Sequence, residues 1–224
     1  INMIPYLELS IPVEELEIRG NELVVNHEEY LDFVDRLMKH CANLHGLDYL
    51  EQCIFEINPH IDLGNNRKES FESAATRFAK TYRLIKSYVP DAKAGGVNHN
   101  LMLPRDDMKG LLRNIKEIGV MPDFLSLGGF PVYASKNLST GSFVEECVYS
   151  ADKNYYRNKI RRYKKTIRES FGVGIPVYIN YMALVLFNQL YLNDSVYQSS
   201  FLFHNIVSLL DEVELLGIYR LSDI

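Results

Sequence analysis

The chain alternates between short apolar runs typical of strands and apolar spacings typical of helices. Short apolar runs predict strands at residues 3–10, 53–57, 92–97, 123–127, 176–181 and 216–221. Apolar positions spaced by three and four residues predict helices at 28–45, 69–88, 106–118, 152–171 and 195–213. Six strands that alternate with five helices are typical of parallel βαβ units.

Turn-forming residues mark the ends of several predicted elements. Gly46 and Gly119 end two helices, and Asp194 is placed to cap the last one. The Glu-rich stretch 13–26 is expected to be a polar connection. A long loop is expected at 128–150, and loops of that length are usually functional or mobile.

The sequence lacks the glycine motifs of nucleotide-binding sheets. No Gly-x-Gly-x-x-Gly follows a predicted strand, Gly95-Gly96 alone is too short a signal, and no Walker-type loop is present. The pattern therefore favours a barrel over a doubly wound sheet. Because a closed barrel needs eight strands, we expect a partial (β/α)8 TIM barrel, about six βα units from strand 3 to strand 8. Residues 1–224 would form one domain, a fragment of a longer chain that lacks the first two strands.

Composition narrows the range of partners. The chain has 224 residues, is 47% hydrophobic and carries a net charge of −5, which argues against nucleic-acid binding by this segment. Cys41, Cys53 and Cys147 show neither paired nor metal-like spacing, which indicates reduced thiols in a cytoplasmic protein. No apolar run reaches about 18 residues, so no membrane span is expected. No cofactor is predicted.

The most informative segment is 53–62, which reads CIFEINPHID: an apolar run carries Glu56 and then breaks at Asn58-Pro59. It resembles the Phe-Glu-x-Trp-Asn-Glu-Pro signature of family 39 glycoside hydrolases, the β-xylosidase and α-iduronidase family. Further segments resemble that family in order along nearly the whole chain. They are PYLELSIP at 5–12, KAGG at 93–96, PDFLS at 122–126, PVYI at 176–179, DSVYQ at 194–198 and LSDI at 221–224.

The departures from the family pattern fall on its chemistry. The family's acid/base Glu is absent between Asn58 and Pro59, Tyr181 stands where the family has its nucleophile, and Gly128 replaces a family His. A retaining glycosidase needs two carboxyl groups about 5 to 5.5 Å apart. The resemblance therefore implies a barrel that has kept its scaffold and lost both catalytic carboxylates.

The resemblance and the strand ends together give a set of ligand-binding candidates: Glu8, Glu56, Asn58, His60, His99, Asn180 and Tyr181. Two of them are also candidates for catalysis, Glu56 as an acid and Tyr181 as a nucleophile. The alternatives are a barrel-interior Glu56 paired with a cation such as Arg220, and a Tyr181 that only lines a pocket. His60, Asp62 and His99 invite a metal interpretation, but their spacing favours polar sugar binding or solvation, and we predict no metal.

The resemblance implies a non-catalytic domain for sugar sensing or dimerisation, like those C-terminal to the helix-turn-helix part of AraC/XylS-type bacterial regulators. Its partners would be a mono- or oligosaccharide and a second copy of the chain. DNA would be bound only through a domain outside this chain. One alternative is an enzyme, a β-xylosidase-like glycoside hydrolase with relocated carboxylates. Another is an interaction domain without a ligand.

Overall fold

The computed structural model describes residues 4–10, 16–19, 22–58, 69–100, 105–134, 147–184 and 195–218. The strands in these ranges are β1 (Tyr6–Leu9), β2 (Leu16–Arg19), β3 (Glu22–Val25), β4 (Ile54–Ile57), β5 (Lys93–Asn100), β6 (Leu125–Gly129), β7 (Val132–Ala134), β8 (Cys147–Tyr149), β9 (Val177–Met182) and β10 (Leu215–Leu216). The helices are α1 (His27–His45), α2 (Leu47–Glu51), α3 (Phe71–Tyr88), α4 (Arg105–Glu117), α5 (Tyr155–Phe171) and α6 (Val196–Leu209).

The main sheet has six strands in the order β1-β4-β5-β6-β9-β10, which is also their order along the chain. The pairs β1/β4, β4/β5 and β9/β10 are parallel. Helices separate successive strands of this sheet, as right-handed parallel crossovers require. The fold is therefore a mixed α/β fold of the partial (β/α)8 barrel type, which confirms the predicted class.

The chain packs as two compact units. The first comprises residues 1–98 and 106–125, and the second comprises 99–105 and 126–224. In the first unit α1 and α3 begin at side-chain caps, where Asn26 and Ser70 accept hydrogen bonds from the backbone N–H groups of Glu29 and Ser73. The buried side chains of this unit are mainly aliphatic and aromatic, among them Val34, Met38, Phe55, Ile57, Ala75, Phe78, Ile85, Leu112 and Ile115.

A buried ion pair links the start of α3 to its middle in the first unit. Arg77 Nη2 lies 2.6 Å from Glu69 Oε2, and both side chains are 0% exposed. Glu69 also accepts a hydrogen bond from Ser73 Oγ at 2.8 Å, and His27 Nε2 lies 3.0 Å from that same hydroxyl. The guanidinium carbon of Arg77 is 5.5 Å from the centre of the Tyr30 ring, so a cation–π contact covers another side of the charge.

In the second unit α5 buries an apolar stripe that includes Tyr156, Ile160, Tyr163 and Ile167. Its opposite face carries the cations that the sequence shows at 157–165. Arg161 and Lys164 pair with Glu212 at 2.7 Å and 3.2 Å. The side chain of Ser195 caps α6 by accepting from the N–H of Gln198, whereas the expected cap, Asp194, lies outside the described residues. Several apolar side chains of α6 are exposed, namely Val196, Tyr197, Phe203 and Val207, and so is Leu210 at its C-cap.

Two segments expected to be irregular contain antiparallel hairpins. Strands β2 and β3 pair within the stretch predicted as a polar connection, and β7 and β8 pair within the predicted long loop. Each strand has only three or four residues, which is too short for a period to stand out. The predicted last strand is described only as β10, because residues 219–224 lie outside the described ranges. No helix in the described ranges is long and apolar enough to cross a membrane.

The buried ion pair should make the stability of the fold depend on pH. Burial by itself raises the pKa of Glu69, but the hydrogen bonds from His27, Arg77 and Ser73 and the charge of Arg77 together hold that pKa below its ordinary value. The unfolded chain therefore binds the proton more readily than the native chain does. The resulting stability is present above about pH 4.5 and is lost as the pH falls through the native pKa.

We expect Glu69→Gln to lower the free energy of unfolding at pH 7 by about 3 to 5 kcal/mol, because it leaves Arg77 buried without its counter-charge. It should also flatten the fall of stability between pH 5 and pH 3. Urea unfolding at several pH values measures both effects. The control is Glu72→Gln, which changes an exposed carboxylate in the same helix. A pH dependence that is identical in the Glu69 variant and the control would contradict the assignment.

Candidate functional site

The carboxyl ends of β1 and β4 bring three predicted site residues to one face of the sheet. Glu8 and Glu56 are register partners in the parallel pair, and Asn58 lies two residues beyond Glu56, so all three point to the same side. Asn58 Nδ2 donates a hydrogen bond to Glu8 Oε1 at 2.7 Å. Glu56 is 0% exposed and Asn58 is 7% exposed, whereas Glu8 is solvent-exposed.

The Glu56 side chain lies over a glycine of the neighbouring strand. A Cβ atom placed on Gly96 would come within 2.8 Å of Glu56 Cγ and within 3.0 Å of the Ile57 backbone. Gly96 also has φ of 121°, a conformation that side chains rarely adopt. Glycine at this position is therefore what lets a buried carboxylate occupy the end of β4.

The backbone of β5 is irregular immediately after that glycine. Val97 has φ of 82° and Asn98 has φ of 39°. Asparagine tolerates the left-handed region, but for a β-branched residue such as Val97 it is a true outlier. Backbone strain of this kind costs about 1 to 3 kcal/mol and clusters at functional sites. It adds to the reasons for treating this strand end as part of a site.

In the second unit, two positions that differ from the family pattern touch each other. A Cβ atom on Gly128, near the end of β6, would overlap the ring of Tyr181 and approach Asn180 Oδ1 to 2.6 Å. The Tyr181 ring also packs against Phe130, with ring centres 6.0 Å apart. The aromatic ring of Tyr181 therefore occupies the space that a side chain at position 128 would need.

His99 meets an aromatic residue of α5. Its ring stacks on Tyr163 with ring centres 5.8 Å apart and planes within 13° of parallel. The Tyr163 hydroxyl donates to the carbonyl of Ser126 in β6 at 3.1 Å. A histidine held flat against a tyrosine in this way is an oriented polar group at the end of β5.

Tyr156 is a residue of this region that the sequence patterns did not single out. Its hydroxyl donates to the carbonyl of Gly129 at 2.6 Å and lies 3.3 Å from that of Ala183. The residue is fully buried, and burial, followed by the proximity of Tyr155, raises its pKa well above 10. Tyr156 therefore links the ends of β6 and β9 as a neutral donor. The sequence pattern could have identified Tyr156, because it is a tyrosine on the apolar face of an otherwise basic helix.

Some predicted participants cannot be placed. His60, Asp62 and Arg220 lie outside the described residues, so the suggested pairing of Glu56 with Arg220 stays a prediction. Within the described ranges, no three His, Cys, Asp or Glu side chains are grouped as a metal ion would require. The cysteines whose side chains are described, Cys41 and Cys53, are free thiols.

Chemically, the strand ends of the first unit offer carboxylates and an amide, and those of the second offer an amide, a phenol and an imidazole. These groups donate and accept hydrogen bonds, and aromatic faces accompany them in the second unit. Polar groups beside aromatic faces suit ligands that carry many hydroxyl groups around a ring with an apolar C–H face, as sugars do. At position 181 the reactive group is a phenol and not a carboxylate.

This architecture is that of glycoside hydrolase barrels. The chain is similar to a monomeric β-xylosidase from Caulobacter crescentus CB15, with a TM-score of 0.74 and 16% identity, over 98% of this chain and 45% of that protein. It is also similar to a GH39 enzyme from Xanthomonas axonopodis pv. citri, with a TM-score of 0.72 and 16% identity, over 95% of this chain and 43% of that one. A glucosidase from Croceicoccus marinus aligns at a TM-score of 0.65 and 16% identity, over 90% and 40% of the two chains.

The chain spans less than half the length of these three proteins. At 16% identity the likeness shows the fold, and it supports the family-39-like barrel expected from the sequence. No protein-family model matches the chain, and no curated protein matches it.

The contact between Gly128 and Tyr181 predicts that a larger residue at position 128 destabilises the fold. We expect Gly128→Ala to lower the free energy of unfolding by about 1 to 3 kcal/mol, because the added methyl group overlaps the tyrosine ring. Most of that cost should disappear in a Tyr181→Ser background, which gives a coupling energy of about 0.5 to 3 kcal/mol in a double-mutant cycle. Chemical denaturation of the four proteins measures the cycle.

Gly174→Ala is the matched control, because a Cβ atom there would meet only Arg168 Nε, at 3.9 Å. It should leave the free energy of unfolding within about 0.5 kcal/mol of wild type. Additive effects of the Gly128 and Tyr181 changes would show that the two residues do not share space.

Proposed function

We propose that this chain is a carbohydrate-binding, glycosidase-like barrel domain that does not carry out retaining hydrolysis. The observation that carries the proposal is the contact between Gly128 and Tyr181. In the family that the sequence resembles, these positions hold a histidine and the nucleophile. Here one side chain is missing and the other fills the space beside it, so the two changes form one remodelled surface.

The first unit supports a binding role through its hydrogen-bonding groups. Asn58 holds the exposed carboxylate of Glu8 at 2.7 Å, which fixes an acceptor at the end of β1. Glu56 is buried beneath that edge. Charge-assisted hydrogen bonds from sugar hydroxyls to a fixed carboxylate are stronger than those between neutral groups. In this proposal the ligand is a mono- or oligosaccharide.

The absence of a carboxylate at position 181 argues against a covalent glycosyl intermediate. A tyrosine can serve as a nucleophile in sialidases, but it needs a base that removes its proton. The ring of Tyr181 packs against Phe130 and over Gly128, which are the contacts of a residue that lines a pocket. Tyr181 is therefore proposed as a wall of the binding site.

Binding is tested by a thermal-shift titration with D-xylose, xylobiose and related oligosaccharides. A ligand that binds only the folded chain adds about 2.7 kcal/mol of stability at one hundred times its Kd. We expect at least one of these sugars to raise the midpoint, and we expect Tyr181→Ala to weaken that response severalfold. Tyr197→Ala is the matched control, because Tyr197 is 69% exposed on α6. A sugar response that is equal in the two variants would place the binding site elsewhere.

Turnover separates this proposal from the enzyme alternative, a β-xylosidase-like hydrolase that uses relocated carboxylates. The buried Glu56 is the specific residue that favours the alternative, because it is a carboxyl group at the end of a barrel strand. We expect no release of 4-nitrophenol from 4-nitrophenyl β-D-xyloside above the uncatalysed rate. Hydrolysis by the wild type that is lost in Glu56→Gln would establish the enzyme and overturn the non-catalytic proposal.

We further propose the setting of an AraC/XylS-type regulator, in which this domain responds to the sugar and a domain outside this chain binds DNA. The support is the sequence resemblance together with the net charge of −5, which leaves DNA contacts to another part of the protein. Homodimerisation stays a prediction. Sedimentation velocity with and without the sugar measures it, and a monomer under both conditions would favour sensing without dimerisation.

A further inference from the structure

A cavity of about 310 Å³ lies in the second unit, where the first turn of α5 faces α6. Among the described residues its lining includes Tyr155, Tyr156, Leu184, Phe201 and Asn205, with Asp152 and Ala151 near the rim. Ligand pockets range upward from about 300 Å³. This cavity is therefore at the lower end, suited to a ligand of about one ring.

The walls of the cavity are aromatic and fixed. The Tyr156 ring stands nearly perpendicular to that of Tyr155, with ring centres 5.5 Å apart, and its centre lies 5.9 Å from that of Phe201. The Tyr156 hydroxyl is already committed to backbone carbonyls at the ends of β6 and β9. These residues consequently present ring surface to the cavity, and edge-to-face contacts with a further ring are the geometry they favour.

The charged residues of the lining, Asp152 and Lys153, are both solvent-exposed, so water screens their charges. The carboxylate of Asp152 is in addition occupied by local structure. One carboxylate oxygen of Asp152 accepts from the backbone N–H of Asn154 and the other accepts from Asn158 Nδ2, both at 2.8 Å. The backbone N–H of Asp152 donates to Ser150 Oγ at 3.1 Å. Because this turn satisfies the carboxylate, the cavity does not call for a cationic ligand.

Asn205 supplies a polar group in the buried part of the lining. The residue is 2% exposed, lines the cavity, and donates from Nδ2 to the backbone carbonyl of Phe201 at 2.9 Å. No group of the described residues donates to its Oδ1. This oxygen is not among the unpaired atoms that protein encloses completely, so it is open to the cavity. A ligand that brings one hydroxyl or N–H group to this atom would form one hydrogen bond there.

We propose that this cavity is a binding site for a small neutral aromatic molecule with a single hydrogen-bond donor, of the chemical class of phenol. The aromatic walls contact the ring, and Asn205 Oδ1 accepts from the donor. A monosaccharide does not fit this description, because the buried part of the lining is mainly aromatic and aliphatic. The site is thus separate in ligand class from the proposed sugar site.

The test uses the whole chain and two fluorinated probes followed by fluorine NMR. 4-Fluorophenol carries the donor and fluorobenzene lacks it, while their rings are alike. We expect 4-fluorophenol to bind about three- to tenfold more tightly, as one net hydrogen bond allows. Asn205→Leu, which keeps the shape and removes the acceptor, should abolish that preference.

Two further variants keep the test decisive. Ala151→Phe adds a ring at an exposed rim position and should block both probes without unfolding the chain, which circular dichroism checks. Ser199→Ala, at an exposed position on α6 outside the lining, should change neither affinity. No binding of either probe, equal affinities in the wild type, or unchanged binding in Ala151→Phe would overturn the proposal. Displacement of 4-fluorophenol by D-xylose in the Tyr181→Ala variant would overturn the assigned ligand class while leaving the proposed sugar site untested by that result.

Discussion

Close approach at glycine is the constraint on which the candidate residues of each unit depend. Gly95 lies against the backbone of Phe124, so a side chain there would overlap a strand connection. Gly96 lies beneath Glu56, Gly128 beneath Tyr181, and Gly217 against the backbone of Asn180. In each case the missing Cβ atom is what allows another group to reach its position. The positions of the functional groups at these strand ends therefore depend on the glycines beside them as much as on their own contacts.

The rigid parts behind the strand ends differ between the two units. In the first, a buried ion pair holds the start of α3, and His27 of α1 joins it through Ser73. In the second, tyrosine hydroxyls of α5 donate to strand carbonyls. Tyr163 donates to the carbonyl of Ser126, and Tyr156 donates to that of Gly129. The first arrangement depends on ionisation of Glu69, whereas the second depends on hydroxyl groups, of which that of Tyr156 has its pKa raised by burial. The two sets of strand ends should therefore respond differently to acid.

The sequence predicted the elements whose periods are long. Helices such as α3, with its stripe of apolar residues, and buried strands such as β4 were visible from spacing alone, and so was the class of fold. The hairpins β2–β3 and β7–β8 were missed because their short strands, unlike β4, lie in Glu-rich or Ser- and Gly-rich stretches whose polar composition is typical of connections. The grouping of Glu8, Glu56 and Asn58 follows from parallel register, which can be inferred once the strands are assigned. The contact of Tyr181 with Gly128, the stacking of His99 and the cavity beside Asn205 depend on packing between distant segments, which no local pattern encodes.

The fit of Tyr181 over Gly128 also has an evolutionary consequence. A histidine introduced at position 128 would collide with the ring, so that substitution is closed to a chain that still carries Tyr181. Replacing Tyr181 first leaves a void, which is costly but tolerable. Any lineage that acquired a histidine here would thus have to pass through a smaller residue at 181 before it changed 128. The volume of one aromatic ring therefore fixes the order in which these two positions can change.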